Sequence, residues 1–195
     1  NFWVSKSKLA DFMLRMGQTA EARPLYEDAL AFAQRLAETS PDRAAAKRAL
    51  LLSTSKLGQL EVREKNWAQA RPMLEEALDR AEALAKTNPE SAEGLRDISV
   101  SAAQLANVLL ELGDLEAARA HYKRSLAMRE ALAARDATNV QAQTDLAFAL
   151  ELLGELEMKA KDLDAAKEYT KTSVAITGRI AAGQPENAVL QRDYI

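Results

Sequence analysis

Gly113-Asp114-Leu115-Glu116-Ala117-Ala118, followed by Tyr122, Ser125 and Leu126, is the stretch whose reading decides the fold. Upstream, Ile98, Ala102, Leu105, Leu109 and Leu112 are spaced by four, three, four and three residues, which puts them on one face of a helix. Gly113 suits the left-handed conformation that ends a helix, and Asp114 can accept from the free N–H groups of the next one. Downstream, Leu115, Ala118, Tyr122, Leu126, Arg129 and Leu132 form a second helical run that ends before the polar Arg135–Asn139 segment. The stretch is the elbow of an antiparallel helix pair.

Stepping the chain against itself by 48 residues finds the same elbow in every unit, without a gap. Ala22, Ala70, Ala118 and Ala166 align, followed by Arg23, Arg71, Arg119 and Lys167. So do Leu9, Leu57, Leu105 and Leu153, then Leu30, Leu78, Leu126 and Val174, then Leu36, Leu84, Leu132 and Ile180. Small residues hold one column, Ala10, Gly58, Ala106 and Gly154, and proline another, Pro41, Pro89 and Pro185, with Ala137 the exception. One pair cannot bury its apolar stripe, so its neighbours must cover it. The expected fold is all-α, an α-solenoid of four stacked antiparallel helix pairs with about 48 residues per repeat. The units read as 1–43, 44–91, 92–139 and 140–187, with residues 188–195 starting a fifth pair.

Local signals agree with these divisions. Asn66 with Gln69 reads as a capping box, and Ser40–Pro41, Asn88–Pro89 and Gln184–Pro185 mark helix boundaries. Pro24 and Pro72 fall about a turn and a half into second helices, where each removes one backbone hydrogen bond and is read as a tolerated bend.

Composition supports helices and removes whole classes of function. Ala and Leu supply 39 and 28 of the 195 residues, against 11 Val and Ile together, a helix former's alphabet. The 26 basic and 29 acidic residues are interspersed, which leaves no basic field for a nucleic acid. No apolar run approaches the roughly 20 residues that a membrane helix needs. With no cysteine and one histidine, His121, metal ligation is not expected, and no Gly-rich phosphate loop is present. No cofactor and no catalytic residue are assigned, and the chain reads as a non-enzyme. His121 shares a column with Leu25, Met73 and Tyr169, which suggests packing, and Trp67 shares one with Thr19, Leu115 and Leu163, which suggests a plug in the seam between pairs. The lack of cysteine fits a reducing compartment and points to the cytoplasm.

The elbow stretch, with Leu105-Ala106 and Leu109 before it, resembles the turn and second helix of a tetratricopeptide repeat. Arg23-Pro24-Leu25-Tyr26-Glu27-Asp28-Ala29-Leu30 and Arg71-Pro72-Met73-Leu74-Glu75-Glu76-Ala77-Leu78 are similar to the variants of kinesin light-chain-like members. The resemblance spans all four units. It departs from the family in its 48-residue period, against about 34 in the common form, and in having Thr54, Ala102 and Leu150 where the first-helix tryptophan stands. The resemblance implies a protein-binding scaffold whose first helices line a concave surface. Some members grip a C-terminal carboxylate with lysine, asparagine and arginine at set columns. Here those columns hold Ser7, Asp11, Ser55, Gln59 and Asn107, so that clamp is not recognisable.

Removing the core columns from each first helix leaves a polar stripe. In the third unit it is Asp97, Ser101, Gln104, Asn107 and Glu111. Its counterparts are Ser5, Lys8, Asp11 and Arg15, then Ser53, Lys56, Gln59 and Arg63, then Ala149, Leu152, Glu155 and Lys159. Lys8, Arg15, Lys56 and Arg63 make the first half basic, while Glu111, Glu151 and Glu155 tilt the second half acidic, against Lys159. The expected partner is a protein or peptide lying along this stripe, its acidic part over the four cations. The competing structural reading is a solvated face with ordinary ion pairs. Two other functions stay open: a peptide-sensing domain that controls an attached effector, and a structural array that assembles through its ends. The chain starts and stops at the same phase of the repeat, which is read as a piece of a longer array. Phe2, Trp3, Tyr194 and Ile195, with Phe12 and Leu190, are the candidate end contacts for homo-association.

Overall fold

The structure, a computed structural model, describes residues 2–183, with side chains from Trp3 onward. The start of a fifth pair, the end residues Leu190, Tyr194 and Ile195, and the side chain of Phe2 lie outside the described residues. Among those described there are eight α-helices and no strand: α1 (Phe2–Arg15), α2 (Thr19–Thr39), α3 (Ala44–Arg63), α4 (Trp67–Ala85), α5 (Ala92–Glu111), α6 (Leu115–Arg135), α7 (Val140–Ala160) and α8 (Leu163–Gly183). The odd-numbered helices are the first, and the even-numbered the second, of four pairs.

The elbows explain why the step is so regular. At each one, the residue just past the first helix adopts a left-handed conformation: Gly17 (φ 77), Lys65 (φ 61), Gly113 (φ 83) and Lys161 (φ 63). At the third, Asp114 N donates to Leu109 O and Gly113 N to Leu110 O, the paired bonds of a Schellman motif, and the other three elbows repeat them. The next residue then opens the second helix: the Asp114 carboxylate accepts from Ala117 N and that of Asp162 from Ala165 N. Asn66 differs from its sequence reading. Its side chain makes no cap bond and donates instead to Glu61 Oε2 at 2.8 Å.

Between pairs, the prolines fall in the turns and not on helical positions. Pro41 and Pro89 precede α3 and α5 by a few residues, and Ser91 caps α5 by accepting from Gly94 N. Pro24 and Pro72 lie within α2 and α4 and are exposed, so the missing N–H leaves its unpaired carbonyl open to water.

Each helix packs on the helices before and after it, and first helices also touch first helices, α1 with α3 and α3 with α5. The chain is thus a solenoid with first helices on its inner wall. Its largest cluster runs from Leu51 through Leu74, Leu105, Leu109 and Tyr122 to Leu153 and Leu156, so the seams between pairs are continuous with the cores inside them. Within pairs the packing alternates. In the first and third, Ala10 and Ala106 align, as do the buried Tyr26 and Tyr122. In the second and fourth, glycine replaces alanine because Leu74 and Thr170 come so close that an added Cβ would lie 2.9 Å from Leu74 Cδ2 at Gly58 and 3.0 Å from Thr170 Oγ1 at Gly154.

Candidate interaction surface

The stripe residues lie on four neighbouring first helices: Lys8, Asp11 and Arg15 on α1, Lys56, Gln59 and Arg63 on α3, Gln104, Asn107 and Glu111 on α5, and Glu155 and Lys159 on α7. Several meet. Lys56 Nζ stands 2.7 Å from Asp11 Oδ1, Ser55 Oγ donates to Gln104 Oε1 at 2.8 Å, and Lys159 faces Glu111 at 3.7 Å. Gln59 Nε2 donates to the same Ser55 hydroxyl at 3.1 Å. The N-terminal end of the stripe differs from the sequence reading: Ser53, Ser101 and Ala149 are buried.

Two tyrosines from second helices complete the wall, and the sequence reading assigned them no such role. Tyr26 donates to Asp11 Oδ1 at 2.6 Å, and Tyr122 donates to Asn107 Oδ1. Burial first, and then the Asp11 carboxylate, raises the Tyr26 phenol far above its usual range. Burial, followed by the fields of Glu155 and Glu111, pushes Tyr122 up to about 12. Both hydroxyls stay protonated and act as fixed donors. The signal was present: Tyr26 and Tyr122, like Asp11 and Asn107, recur at every second unit.

The charges on the wall are unevenly paired. Asp11 occupies Lys56, whereas Lys8, Arg15 and Arg63 have no carboxylate partner among the described residues. Glu155 has no cationic partner either, and the Glu151 carboxylate accepts from Ser173 Oγ at 2.9 Å.

Behind the wall, ion pairs join the second helix of one pair to the first helix of the next at the first and third seams. Arg23 reaches Glu61 at 2.6 Å and Glu64 at 2.5 Å, and Arg119 reaches Glu157 at 2.7 Å. The bond to Arg23 holds the Glu61 carboxyl below the usual carboxylate range, and the glutamates raise both guanidiniums further. His121 is half-buried. Burial, then the charge of Arg124, lowers its pKa, so it is neutral at pH 7. Trp67 packs against the central cluster, and Trp3 against Ala33, Ala49 and Leu50. At the first helix, Leu9 and Phe12 are 43% and 52% exposed, although Leu57, Leu105 and Leu153, and Leu60, Val108 and Leu156, are buried in their columns.

Among the described residues no cluster of three metal-ligating side chains occurs, and no helix is long and apolar enough to cross a membrane.

Two family models, each described as tetratricopeptide repeat, match residues 48–131 and 4–42. A search of curated proteins finds no match. Among solved structures, one from Podosopora anserina, described as "kinesin light chain nearly identical TPR-like repeats", is 18% identical with a TM-score of 0.51, covering 94% of this chain and 75% of that one. BtubC (BKLC) from P. vanneervenii is 20% identical with a TM-score of 0.50, covering 90% and 79%. At these identities the likeness is one of fold.

Proposed function

This chain belongs to the tetratricopeptide repeat family, and we propose that it is a non-enzymatic protein–protein interaction scaffold whose inner wall binds a peptide or protein segment. One observation carries the reading: Lys8, Arg15 and Arg63 stand on that wall with no carboxylate to neutralise them, while Lys56 is already held by Asp11. A ligand carboxylate meeting these cations is steered by the field and gains charge-assisted bonds. The acidic part of the segment lies over α1 and α3, and the unpaired Glu155 faces its less acidic remainder. The test is a set of peptides selected from a displayed random library on the wild-type chain and measured again on R15E/R63E. Acidic peptides that weaken tenfold or more, about 1.4 kcal/mol, support the reading; unchanged affinity removes this wall as the binding surface.

A second reading, association with another copy of the chain, is favoured by the open face of α1. Leu9 and Phe12 occupy columns that each later unit buries against its predecessor. Sedimentation at rising concentration tests it: F12E abolishing a concentration-dependent species supports it, and a monomer at all concentrations overturns it.

A further inference from the structure

The three seams can be compared position by position, because the 48-residue step supplies each with its counterpart. At one place on each seam, where the start of a first helix meets the preceding pair, the chemistry changes. The first seam has Ala33, Ala45 and Ala49 there. At the second, Arg48 holds Asp97 through Nε at 2.9 Å and Nη2 at 3.1 Å, and reaches Glu93 through Nη1, with the buried Ala81 opposite. One cation there meets two carboxylates.

At the third seam the balance inverts. Arg96 takes the column of Arg48, Asp145 that of Asp97, Gln141 that of Glu93, and Arg129 that of Ala81. The lost carboxylate and the added arginine leave two cations to one carboxylate. That carboxylate is engaged elsewhere, since Asp145 Oδ1 accepts from Gln141 Nε2 at 2.8 Å. Arg129 is 8% exposed. Its Nε reaches Ser99 Oγ at 3.3 Å, its Nη1 donates to the Asp145 carbonyl at 2.6 Å, and the guanidinium sits 5.7 Å from the centre of the Phe148 ring. Neither Arg96 nor Arg129 has an ion-pair partner among the described residues. Burial holds the Arg129 guanidinium below its ordinary value, the Asp145 charge opposing this.

Arg96, Arg129 and Asp145 border a cavity of about 140 Å³ between α5, α6 and α7. The other charges at its rim are satisfied: Arg135 bonds Glu90, and Asp136 Oδ1 accepts from the amide and hydroxyl of Thr138. Both rim residues are exposed, so water screens them in a way it does not screen Arg129.

We propose that this cavity binds a carboxylate, which takes between Arg96 and Arg129 the part that Glu93 plays beside Arg48 one unit earlier. Arg129 has its Nε and Nη1 engaged and keeps Nη2, and Arg96 makes no ion pair, so each guanidinium can give a carboxylate a charge-assisted bond. The site lies at the opposite end of the first helices from Arg15 and Arg63, so it stands or falls independently of the inner-wall reading.

The experiment is thermal unfolding in sodium acetate against sodium chloride at equal ionic strength. The wild-type chain should gain about 3 °C at ten times the acetate dissociation constant. Q141E restores the missing carboxylate from within and should lose the acetate response, whatever it does to the baseline. R96Q, at an exposed position, should reduce the response, and R15E/R63E should keep it. Acetate acting equally on wild type and Q141E, or on neither, overturns the proposal, as does a response to phosphate without one to acetate. N-acetylglutamate amide identifies the source: an equal response assigns the site to an acidic side chain of a partner, and a response to acetate alone assigns it to a small free carboxylate.

Discussion

Arg119 grips Glu157 with two parallel hydrogen bonds, Nε to Oε1 at 2.7 Å and Nη2 to Oε2 at 2.8 Å, across the seam between the third and fourth helix pairs. Glu157 is 3% exposed, so its charge depends on that guanidinium. Removing one partner of such a pair strands the other, at a typical cost of about 3–5 kcal/mol, whereas replacing both with apolar groups is often close to neutral. The chain contains its own apolar version: in the same columns at the second seam, Leu109 stands for the glutamate and Arg71 turns to Glu75 at 2.8 Å. R119A should therefore lower unfolding stability by about 3 kcal/mol, and R119M/E157L should return to within about 1 kcal/mol of wild type. A denaturant double-mutant cycle measures both.

Acid should release the matching pair at the first seam. Glu61, bonded by Arg23 and Asn66, has a folded-state pKa below its unfolded value, so the native state binds fewer protons than the unfolded chain in that window. The stabilisation is complete above the ordinary glutamate value of about 4.3 and disappears as pH falls through the depressed one. Urea midpoints of wild type and E61Q should differ most at pH 7 and converge between pH 5 and the acid limit. A difference that stays constant with pH would show that Glu61 is not held by charge.

The two core glycines should respond to alanine with opposite signs. At either site alanine gains about 1 kcal/mol of helix propensity. At Gly58 the new Cβ meets Leu74 Cδ2 at 2.9 Å and Cγ at 3.1 Å, and Leu74 is wholly enclosed, so overpacking of about 1–3 kcal/mol wins. At Gly154 the close atom is the hydroxyl of the exposed Thr170, which can rotate away from its bond to Ala166 O. Melting curves should show G58A below wild type and G154A above it, with L74A relieving part of the G58A defect.

The class of fold could be read from the sequence because apolar columns keep their phase through all four units, and no local misreading, such as the Asn66 cap, could disturb that phase. The site was less legible, for a physical reason. Stripe membership follows from helical phase alone, and the structure pairs Lys56 of α3 with Asp11 of α1. The burial of Ser53 and Ser101 is set by tertiary packing, which helical phase does not carry. Alignment at 48 residues also averages over a finer order. Tyrosine at Tyr26 and Tyr122, glycine at Gly58 and Gly154, and the bridges Arg23–Glu61 and Arg119–Glu157 recur every second unit, so a single-step comparison records them as variation.

The elbows carry the same two-unit alternation and expose it to a direct test. The left-handed position is glycine at Gly17 and Gly113, but lysine at Lys65 and Lys161, with φ of 61° and 63°. A side chain there costs roughly 1–2 kcal/mol against the right-handed alternative, whereas glycine has no Cβ to clash but loses more backbone freedom on folding. Both lysines are exposed and neither makes an ion pair among the described residues, so little else is lost on replacing them. Lys65→Gly and Lys161→Gly should each raise stability by about 0.5–1 kcal/mol. The converse changes, Gly17→Ala and Gly113→Ala, should lower it by a similar amount. An added Cβ at either glycine meets nothing within 4 Å, so steric crowding cannot account for a loss there. Urea unfolding of the four single variants reads these effects, and a destabilised Lys65→Gly would mean that the lysine side chain contributes an interaction outweighing its backbone strain.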